Sequence, residues 1–552
     1  MAGKVYGIDL GTTYSCIAAV DEFGRPTVIP NSDSQATTPS VVWFSSPTET
    51  AVGIQAKRNA RVYPDNVVSL VKRHMGDGEW RVTVHDTEYS APAVSSLILK
   101  ALAADASMNA GEPVTDVVIT VPAYFGDEER KATKLAGELA GLNVVDIINE
   151  PTAAAFAYGF ASDGEANETI LVYDLGGGTF DCTVIKLAER SIQVIATDGD
   201  HELGGADWDE RLASHLSAKF TEANPDAGDP LDDSYGAQDL ITTAEEVKQS
   251  LSMRDSVDSM VIFGTGRASI TVTRAEYESL TSNLLERTIE LTGQVLNAAK
   301  AKGVDSIDRV LLVGGMSKSP IVAARLKTEF GFDAQLADPD LAVAKGAAMY
   351  GQKKELEQFV LDDLVAAGQL TQGQSIADAD AGAVQQAAAK TATEYGLSAQ
   401  AVTDLVNTEV SNVTSRGFGV AIIDENDTEI VSFIAHSQDT LPITVEETFA
   451  TTVDNQTAVQ VQVYEQATSV ESAALADNKM IVEGMLEGVP SGHPKGTPVH
   501  VVFTMGRDQT IEVSAKHAAV SAPLVLRVEA GVASSAMRDS EQGKVDLLKP
   551  KS

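Results

Sequence analysis

Residues 171–181 read LVYDLGGGTFD, and residues 7–16 near the start of the chain read GIDLGTTYSC. In each stretch an apolar strand runs into an aspartate, Asp174 or Asp9, which is followed by glycine and threonine. The carboxyl end of a parallel strand faces the crevice in which open α/β sheets bind ligands. Glycines there let backbone N–H groups approach phosphate oxygens, and threonine hydroxyls add further donors. The two copies therefore predict a phosphate clamp, with one loop from each half of a duplicated α/β fold.

Carboxylates at these positions cannot neutralise phosphate, so their role must involve a cation. Asp9 and Asp174 predict Mg²⁺, held directly or through waters, that bridges the phosphates of a nucleotide. Glu150 ends another strand, in INEPTAAA, where it can position or polarise an attacking water. Lys72, in SLVKRHMG, is the basic residue that we expect near the γ-phosphate. Each motif alone also fits a capped turn, and Glu150 alone also fits an acid at a helix N-terminus.

The bulk composition restricts the class of protein. A chain of 552 residues predicts two to four domains. The net charge of −38 argues against nucleic acid as a partner. The apolar runs are too short for a membrane span, and the start MAGKVYGIDL is not a secretory signal. Cys16 and Cys182 are expected to be buried thiols in a reducing compartment, so we predict a cytoplasmic protein.

The pattern of apolar residues changes twice along the chain. Strands alternate with helices up to about residue 351, which predicts α/β architecture. Residues 353 to about 411 are rich in Ala, Gln and Asp and predict one or two small helices. From residue 416 the period falls to two, which predicts an all-β sandwich. We therefore predict a multidomain chain with an α/β nucleotide-binding domain at 1–352, a helical insert and linker at 353–415, a β-sandwich at 416–530, and a flexible tail at 531–552.

These phrases together resemble the seventy-kilodalton heat-shock chaperone family (DnaK-type), whose ATPase domain has the actin and sugar-kinase fold. In addition to the two opening phrases, the matching motifs run in family order from residue 4 to 350: VKRHMG, VVITVPAYF, INEPTAAAFAYG, DGDHELGGADWD, AEEVKQSLS, LLVGGMSKSP and DPDLAVAKGAA. The β region also matches, in TTVDNQTAVQVQVYEQ, DNKMIVEGMLEGVP and VVFTMGRDQTIEVSAK.

The resemblance implies hydrolysis of ATP to ADP and phosphate, with Mg²⁺ as cofactor and K⁺ as an optional second ion. It implies that Asp9 and Asp174 organise Mg²⁺ through its water shell, and that Pro122 and Arg130 form a switch between the nucleotide site and the domain surface. Catalytic roles are implied for Asp9, Lys72, Glu150, Asp174 and Thr179. Nucleotide binding is implied for Gly11, Thr12, Thr13, Gly176, Gly177, Gly178, Gly204, Gly205, Glu245, Lys248, Ser252, Gly314, Gly315 and Asp340.

In the β region the resemblance implies a groove for an extended hydrophobic polypeptide, formed by Val420, Phe449, Val459 and Val461. Such a groove offers strand-edge hydrogen bonds and an apolar pocket. From the residue pattern alone, ordinary sandwich core is the preferred interpretation of these four residues. The partners that the resemblance implies are unfolded or extended polypeptides, a J-domain protein and a nucleotide-exchange factor.

The sequence departs from the family pattern in the lid, the linker, the J-domain docking site and one position near adenine. The stretch after residue 530 is too short for the family's helical lid, so we expect weak and fast peptide exchange. The linker, TEVSNVTSRGFG at 408–419, keeps only Val410 and Val413 as apolar residues, and we expect weak coupling between the domains. Val145 and Asp146 stand where a J-domain partner meets basic residues, so an ordinary J-protein should be repelled. Lys318 replaces an arginine that stacks near adenine.

Two other functions compete with a chaperone. A nucleotide-binding scaffold, or a specialised peptide-binding protein, would have its ATPase uncoupled from the β domain, as the altered linker and missing lid favour. A small-molecule kinase on the same fold would have no use for the β-sandwich. The set of Asp9, Lys72, Glu150, Asp174 and Thr179 favours hydrolysis over mere sensing.

Overall fold

A computed structural model describes residues 4–161, 167–188, 191–371, 374–468, 470–507, 509–520, 522–528 and 535–551. The strands are β1 Val5–Asp9, β2 Tyr14–Val20, β3 Pro26–Ile29, β4 Thr38–Pro39, β5 Val42–Ser46, β6 Glu49–Val52, β7 Val67–Val68, β8 Val82–Val84, β9 Thr87–Tyr89, β10 Asp116–Val121, β11 Asn143–Asn149, β12 Glu168–Leu175, β13 Phe180–Ala188, β14 Ser191–Asp200, β15 Ser256–Phe263, β16 Gly266–Thr273, β17 Arg309–Val313, β18 Ala334–Leu336, β19 Glu409–Ser411, β20 Phe418–Ile423, β21 Glu429–Ala435, β22 Ile443–Ala450, β23 Val459–Gln466, β24 Asn478–Leu486, β25 Pro498–Met505, β26 Ile511–His517, β27 Leu524–Val528 and β28 Lys549–Pro550. The α-helices are α1 Ile54–Ala60, α2 Ala91–Ala110, α3 Asp127–Leu139, α4 Glu150–Ala161, α5 Gly205–Ala223, α6 Ser234–Leu251, α7 Arg274–Leu280, α8 Ser282–Ala301, α9 Pro320–Phe330, α10 Ala342–Ala366, α11 Ala381–Tyr395, α12 Ala399–Val406 and α13 Ser535–Val545.

Two sheets with matching strand order form the centre of the first domain. One runs β11–β10–β1–β2–β3, and the other runs β18–β17–β12–β13–β14 with β19 at its edge. In both, the first three strands are parallel and the last pairs are antiparallel. The central strands β12 and β17 carry continuous apolar runs, at 170–173 and 310–313, because helices cover both faces of the sheet. The repeated order places Asp9 and Asp174 at equivalent strand ends.

Helices α4 and α10 pack between the two sheets at very close range. A Cβ on Gly346 of α10 would lie 1.7 Å from the carbonyl oxygen of Ala153 on α4, so only glycine allows this approach. Helix α10 runs without a break through residue 352, and the predicted domain boundary at 352 therefore falls inside a helix. The residues predicted to form a small helical insert contain α11 and α12. These helices bury Val384, Ala388 and Val402 in the same apolar core as α4 and α10, so they extend the first domain.

The linker contains an ordered strand despite its few apolar residues. Strand β19 pairs in parallel with the start of β14, so that Glu409 lies opposite Ser191 and Val410 opposite Ile192. Val413 follows at 3% exposure, within the core that α10 helps to form. Backbone hydrogen bonds thus attach the linker to β14, which the few apolar side chains of the linker did not predict.

The described residues between 418 and 528 form two facing sheets, as a β-sandwich requires. One sheet has the order β21–β20–β23–β24 and the other β22–β25–β26–β27. Their inner faces meet at Phe418 and Phe503, whose ring centroids are 5.8 Å apart. The alternation of buried and exposed residues along β25 and β26 follows from one face packing on the other sheet.

The sandwich rests on the first turn of α3. Arg416 forms an ion pair with Glu129 at 2.5 Å, and the backbone N–H of Asp127 donates to Glu465 Oε1 at 3.3 Å. A Cβ on Gly126 would lie 2.8 Å from both Arg416 and Glu465, so this contact leaves no room for a side chain there. A second contact joins Gln438 to both backbone groups of Thr197 in β14, at 2.7 and 2.9 Å.

The prediction of a flexible tail at 531–552 is wrong for residues 535–551, while 531–534 and 552 lie outside the described residues. Helix α13 packs on α2 and α3, and Glu541 accepts a hydrogen bond from the Ser90 hydroxyl at 2.8 Å. Strand β28 then adds in parallel to β6. Val545 and Leu548 are 0% and 4% exposed in the core of the first domain. Val545 and Leu548 lie three residues apart on the same core, and the composition of the segment did not reveal that they would anchor it.

No helix among the described residues is both long and apolar enough to cross a membrane.

The docked C-terminal segment predicts a large contrast between two adjacent leucines. Leu548→Ala should lower the free energy of unfolding by about 2–4 kcal/mol, because it empties a buried site. Leu547→Ala is the matched control, since Leu547 is 66% exposed, and it should change stability by less than about 0.5 kcal/mol. Urea unfolding of the full chain measures both. Equal, small effects would contradict docking of the segment.

The contact at α3 predicts a pH-dependent contribution to stability. Burial raises the pKa of Glu465 to about 7, while the Arg416 guanidinium opposes the shift and Glu129 and Asp127 add to it. Lys479 lies opposite Glu465 on β24 and pairs with Glu128 at 3.6 Å. Because the native pKa is above the ordinary value of 4.5, the native state binds this proton more tightly than the unfolded chain. This stabilisation is complete below pH 4.5 and is lost as the pH rises through about 7.

Glu465→Gln should therefore gain stability relative to the unmodified protein as the pH rises from about 4.5 to 8, by at most about 3 kcal/mol. Urea unfolding at each pH gives the difference. Glu483→Gln, at an exposed carboxylate on β24, is the control and should give a flat difference. A flat difference for Glu465→Gln as well would contradict the linkage.

Candidate nucleotide site

The two predicted phosphate loops are in direct contact. Gly176–Gly178 follow β12, and Gly11–Thr13 follow β1. A Cβ on Gly177 would lie 2.0 Å from the Thr13 hydroxyl oxygen, and one on Gly178 would lie 2.2 Å from the Thr12 methyl group. The backbones therefore approach as closely as they do only because glycine stands opposite each threonine.

Two further glycine pairs lie next to these loops. Gly204 and Gly205 lie at the N-terminus of α5, where the Gly205 N–H donates to the Gly176 carbonyl at 3.0 Å and so ties this turn to the loop after β12. A Cβ on Gly204 would lie 2.5 Å from the backbone of Gly178. Gly314 ends β17 with φ of 83°, and a Cβ there would lie 2.5 Å from Asp174 Oδ1. The left-handed conformation brings this backbone against the acidic strand end.

These loops enclose a cavity of about 700 Å³ between the two halves of the domain. Gly178 and Gly204 do not line it, since they lie behind the loops and contact each other. The other predicted catalytic and nucleotide-binding residues all do: Asp9, Gly11, Thr12, Thr13, Lys72, Glu150, Asp174, Gly176, Gly177, Thr179, Gly205, Glu245, Lys248, Ser252, Gly314, Gly315 and Asp340.

Carboxylates dominate the charge at the closed end of this cavity. Lys72 donates to Glu150 at 2.5 Å, and both side chains are buried. Burial, followed by the negative charge of Glu150, raises the pKa of Asp9 to about 7 and that of Asp174 well above its ordinary value. Burial lowers the pKa of Lys72, but Glu150 and Asp9 outweigh it and the net pKa is raised. Lys72 is therefore a stable ammonium group facing more carboxylates than it can neutralise.

A cation fits this environment. Asp181 is 1% exposed, and although the Ala123 backbone approaches it, neither of its carboxylate oxygens completes a hydrogen bond. A buried carboxylate without a donor is costly unless a positive charge compensates it. Among the described residues no three His, Cys, Asp or Glu side chains are grouped as direct metal ligands. Asp9 and Asp174 therefore fit Mg²⁺ held through water and substrate phosphate, and Asp181 fits a second cation.

A family model described as Hsp70 protein matches residues 5–80, 77–378 and 380–542. The chain belongs to the Hsp70 family. Members of this family are ATPases that bind ATP and ADP with Mg²⁺, act as ATP-dependent chaperones, and combine an ATPase domain with a β substrate-binding domain. The described structure, with an α/β part and a separate sandwich, is compatible with that organisation.

Helix α6 contributes Glu245 and Lys248, two of the residues predicted to bind adenosine, to the open end of the cavity. Lys248 is held by the Gly205 carbonyl and by Asp209, both at 2.7 Å. Glu245 accepts from Lys57 at 2.6 Å, which bridges it to the Tyr14 hydroxyl across the cleft. On the facing wall, next to Gly315, Lys318 forms an ion pair with Asp340. Lys318 therefore has a carboxylate partner in this conformation.

Several residues of the site were missing from the predictions. Arg73 donates to the Gly178 carbonyl and to Asp207, and Lys57 and Asp209 hold the adenosine candidates. Their partners are distant in sequence, so no local pattern identifies them. Asp181 ends the phrase DLGGGTFD, and a second acid at the start of β13 was a signal that could have been used.

The predicted switch residues lie between the nucleotide site and the sandwich. Arg130 is 4% exposed and donates to the carbonyl of Phe125 at 3.1 Å and to Asn149 at 2.5 Å. Pro122 accepts from the Phe125 N–H in the same turn. Asn149, the partner of Arg130, directly precedes Glu150, which pairs with Lys72. Glu129, which directly precedes Arg130, pairs with Arg416 of the sandwich domain.

The surface near Val145 and Asp146 is already internally paired. Asp146 accepts from the Tyr350 hydroxyl at 2.9 Å and lies 3.0 Å from Lys354, both on α10. Val145 is 39% exposed beside it. The negative charge of Asp146 is thus compensated within the chain.

The four predicted peptide-groove residues divide into two pairs. Val420 on β20 and Val461 on β23 are 4% and 5% exposed within the sandwich core. Phe449 on β22 and Val459 on β23 are half-buried at the margin of that core. The sandwich therefore leaves a partly exposed apolar margin that joins its two sheets.

Proposed function

We propose that the chain is an ATP-dependent chaperone that binds extended hydrophobic segments of polypeptides, with hydrolysis of ATP to ADP and phosphate controlling its affinity for them. The observation that carries this proposal is the buried Lys72–Glu150 pair between two touching phosphate loops. Lys72 and Glu150 face a cavity large enough for a nucleotide. Contacts through Asn149, Arg130 and Glu129 connect Glu150 to the sandwich domain.

For hydrolysis, each residue of the closed end has a distinct task. Thr12, Thr13 and the backbone N–H groups of the glycine loops hold the phosphates of the substrate. Asp9 and Asp174 would hold Mg²⁺, which would supply positive charge that neutralises the phosphates. Lys72 adds a fixed positive charge near the transferred group. Glu150 and Thr179 orient the attacking water, and the ion pair to Lys72 fixes the position of the Glu150 carboxylate.

For peptide binding, the half-buried Phe449 and Val459 provide the accessible apolar contacts. Val420 and Val461 form the floor beneath them. An extended segment would add backbone hydrogen bonds at a strand edge and place one or two apolar side chains at this margin. Helix α13, which follows the sandwich in sequence, packs on α2 and α3 of the first domain. We therefore propose that α13 does not hold a peptide in the groove, and that bound peptide exchanges quickly.

Coupling between the two activities is supported by a continuous set of contacts. Arg416 of the sandwich domain pairs with Glu129. Arg130, the neighbour of Glu129, donates to Asn149. Glu150, the neighbour of Asn149, accepts from Lys72. Strand β19 gives the linker a second attachment on β14. These contacts favour a coupled chaperone over an uncoupled scaffold, despite the altered linker sequence.

The proposal extends to partners and compartment. The internal pairing of Asp146 with Lys354 favours a J-domain partner whose docking charge differs from the usual pattern, or the use of another site. A nucleotide-exchange factor is a further expected partner. The two free, buried cysteines, Cys16 and Cys182, are compatible with the reducing cytoplasm.

Steady-state hydrolysis with and without a saturating extended hydrophobic peptide tests the proposal. We expect stimulation of roughly fivefold or more by the peptide, because the sandwich contacts lead to Glu150. Lys72→Ala should lower kcat by about 100-fold, since it removes the only lysine at the closed end of the cavity described here. Hydrolysis that ignores the peptide would leave the nucleotide-binding scaffold as the better account.

A matched pair of variants separates coupling from hydrolysis. Val413→Asp places a charge at a buried linker position and should abolish the peptide response while basal hydrolysis stays within about twofold. Val453→Asp makes the same change at a 56% exposed position in the sandwich and should leave the response intact. If both variants respond equally, the linker does not carry the coupling.

A further inference from the structure

Arg73 stands next to Lys72 but faces a different set of atoms. Its two terminal nitrogens donate to the two oxygens of Asp207, at 2.6 and 3.3 Å, and its Nε donates to the Gly178 carbonyl at 3.0 Å. The side chains of Arg73 and Asp207 are 14% and 19% exposed. Neither residue lines the nucleotide cavity, so a bound nucleotide would not contact them.

Asp207 ties this interaction to a third backbone segment. It lies in the first turn of α5, and its Oδ2 accepts the Gly204 N–H at 2.7 Å. The Gly204 backbone in turn presses on Gly178. The Arg73 fork therefore joins the loop after β12 to the loop before α5, and it fixes their separation from behind the cavity.

The same fork also anchors the turn that presents Lys72. Residues Val71–His74 form a single 3-10 turn, which Leu70 enters with a φ of 57°. Leucine rarely adopts this left-handed conformation, so the turn needs support from its surroundings. Arg73 provides it, since its side chain holds the turn to the loops while Lys72 points to Glu150.

We propose that Arg73, acting through Asp207, is a positioning residue for phosphoryl transfer. It sets the distance between Lys72, the Gly176–Gly178 loop and the Gly204–Gly205 loop, which together surround the transferred group. This inference rests on the proposed ATPase function and adds a role to it. Preorganised donors matter most where charge develops in the transition state, whereas ground-state affinity is spread over the whole nucleotide. Loss of Arg73 should therefore lower kcat far more than it raises KM.

The planar geometry makes a specific demand on the side chain. A guanidinium group can donate to both carboxylate oxygens and to a carbonyl at once, whereas an ammonium group acts as a point charge. Lysine at position 73 would keep the charge but lose the fork. Arg73→Lys should therefore resemble Arg73→Ala in kcat, which a merely electrostatic role would not produce.

The experiment measures kcat and KM for ATP, with Mg²⁺ present, in the full chain and its variants. Arg73→Lys, Arg73→Ala and Asp207→Asn should each lower kcat by roughly 10- to 100-fold, with KM within about threefold. The double variant Arg73→Ala/Asp207→Asn should be no worse than Arg73→Ala by more than about twofold, because both remove one interaction. Arg81→Ala is the control, since Arg81 donates only to carbonyls of its own loop, at Gly78 and Trp80.

A second readout does not depend on hydrolysis. In the nucleotide-free chain, Arg73→Lys should speed amide hydrogen exchange at residues 176–179 and 204–207, while exchange in the sandwich stays unchanged. If the unmodified protein fails to hydrolyse ATP, the proposed function fails, but this readout still decides the positioning role. Unchanged exchange in these two loops, kcat within about twofold for Arg73→Lys, or a raised KM at constant kcat would each overturn the proposal.

Discussion

The structure depends on an excess of buried negative charge at the meeting point of two sheets. Asp9, Glu150 and Asp174 end or follow strands at the same crevice, and Asp181 lies close by without a donor. Lys72 is the one lysine at the closed end of the cavity, and its ion pair with Glu150 leaves the aspartates uncompensated. Such a cluster is unfavourable in the absence of cations, which is why burial raises the pKa of Asp9 and Asp174. A site built in this way favours a ligand that arrives with its own cation, as a magnesium nucleotide does.

Helix α3 is the element through which this site is connected to the rest of the chain. Its first turn carries the contacts to the sandwich at Asp127 and Glu129, and its last turn meets the C-terminal segment, where Arg538 pairs with Glu138 at 2.8 Å. Between them Arg130 holds Asn149 beside the catalytic candidate Glu150. The sandwich is therefore attached to the first domain before its first strand, by β19, and after its last, by α13 and β28. A displacement of α3 would affect its contacts to the sandwich, to Asn149 and to Arg538 together.

The parts of this arrangement that local chemistry dictates were predictable from the sequence. Aspartate followed by glycine and threonine constrains a loop whatever surrounds it, so the close approach of the loops after β1 and β12 could be predicted from the sequence. The period of two from residue 416 likewise predicted alternating strands, which the structure contains. Contacts between distant residues were not: Arg73 meets Asp207 across 134 positions, and no pattern links them. The C-terminal segment was expected to be flexible, yet Val545 and Leu548 are buried against a surface that only the fold creates. Likewise the linker was judged by its side chains, whereas its backbone forms the strand pairing.

The central claim is that the carboxylate cluster and the glycine loops form a site for a magnesium nucleotide. Calorimetric titration of the full chain with ADP, in Mg²⁺ and again in EDTA, tests it most directly. We predict that Mg²⁺ tightens binding by roughly 10-fold or more, and that Asp174→Asn removes most of this difference while leaving the affinity in EDTA equal or higher, because less negative charge then faces the phosphates. Equal affinity with and without Mg²⁺, or a magnesium effect that Asp174→Asn leaves intact, would contradict the account.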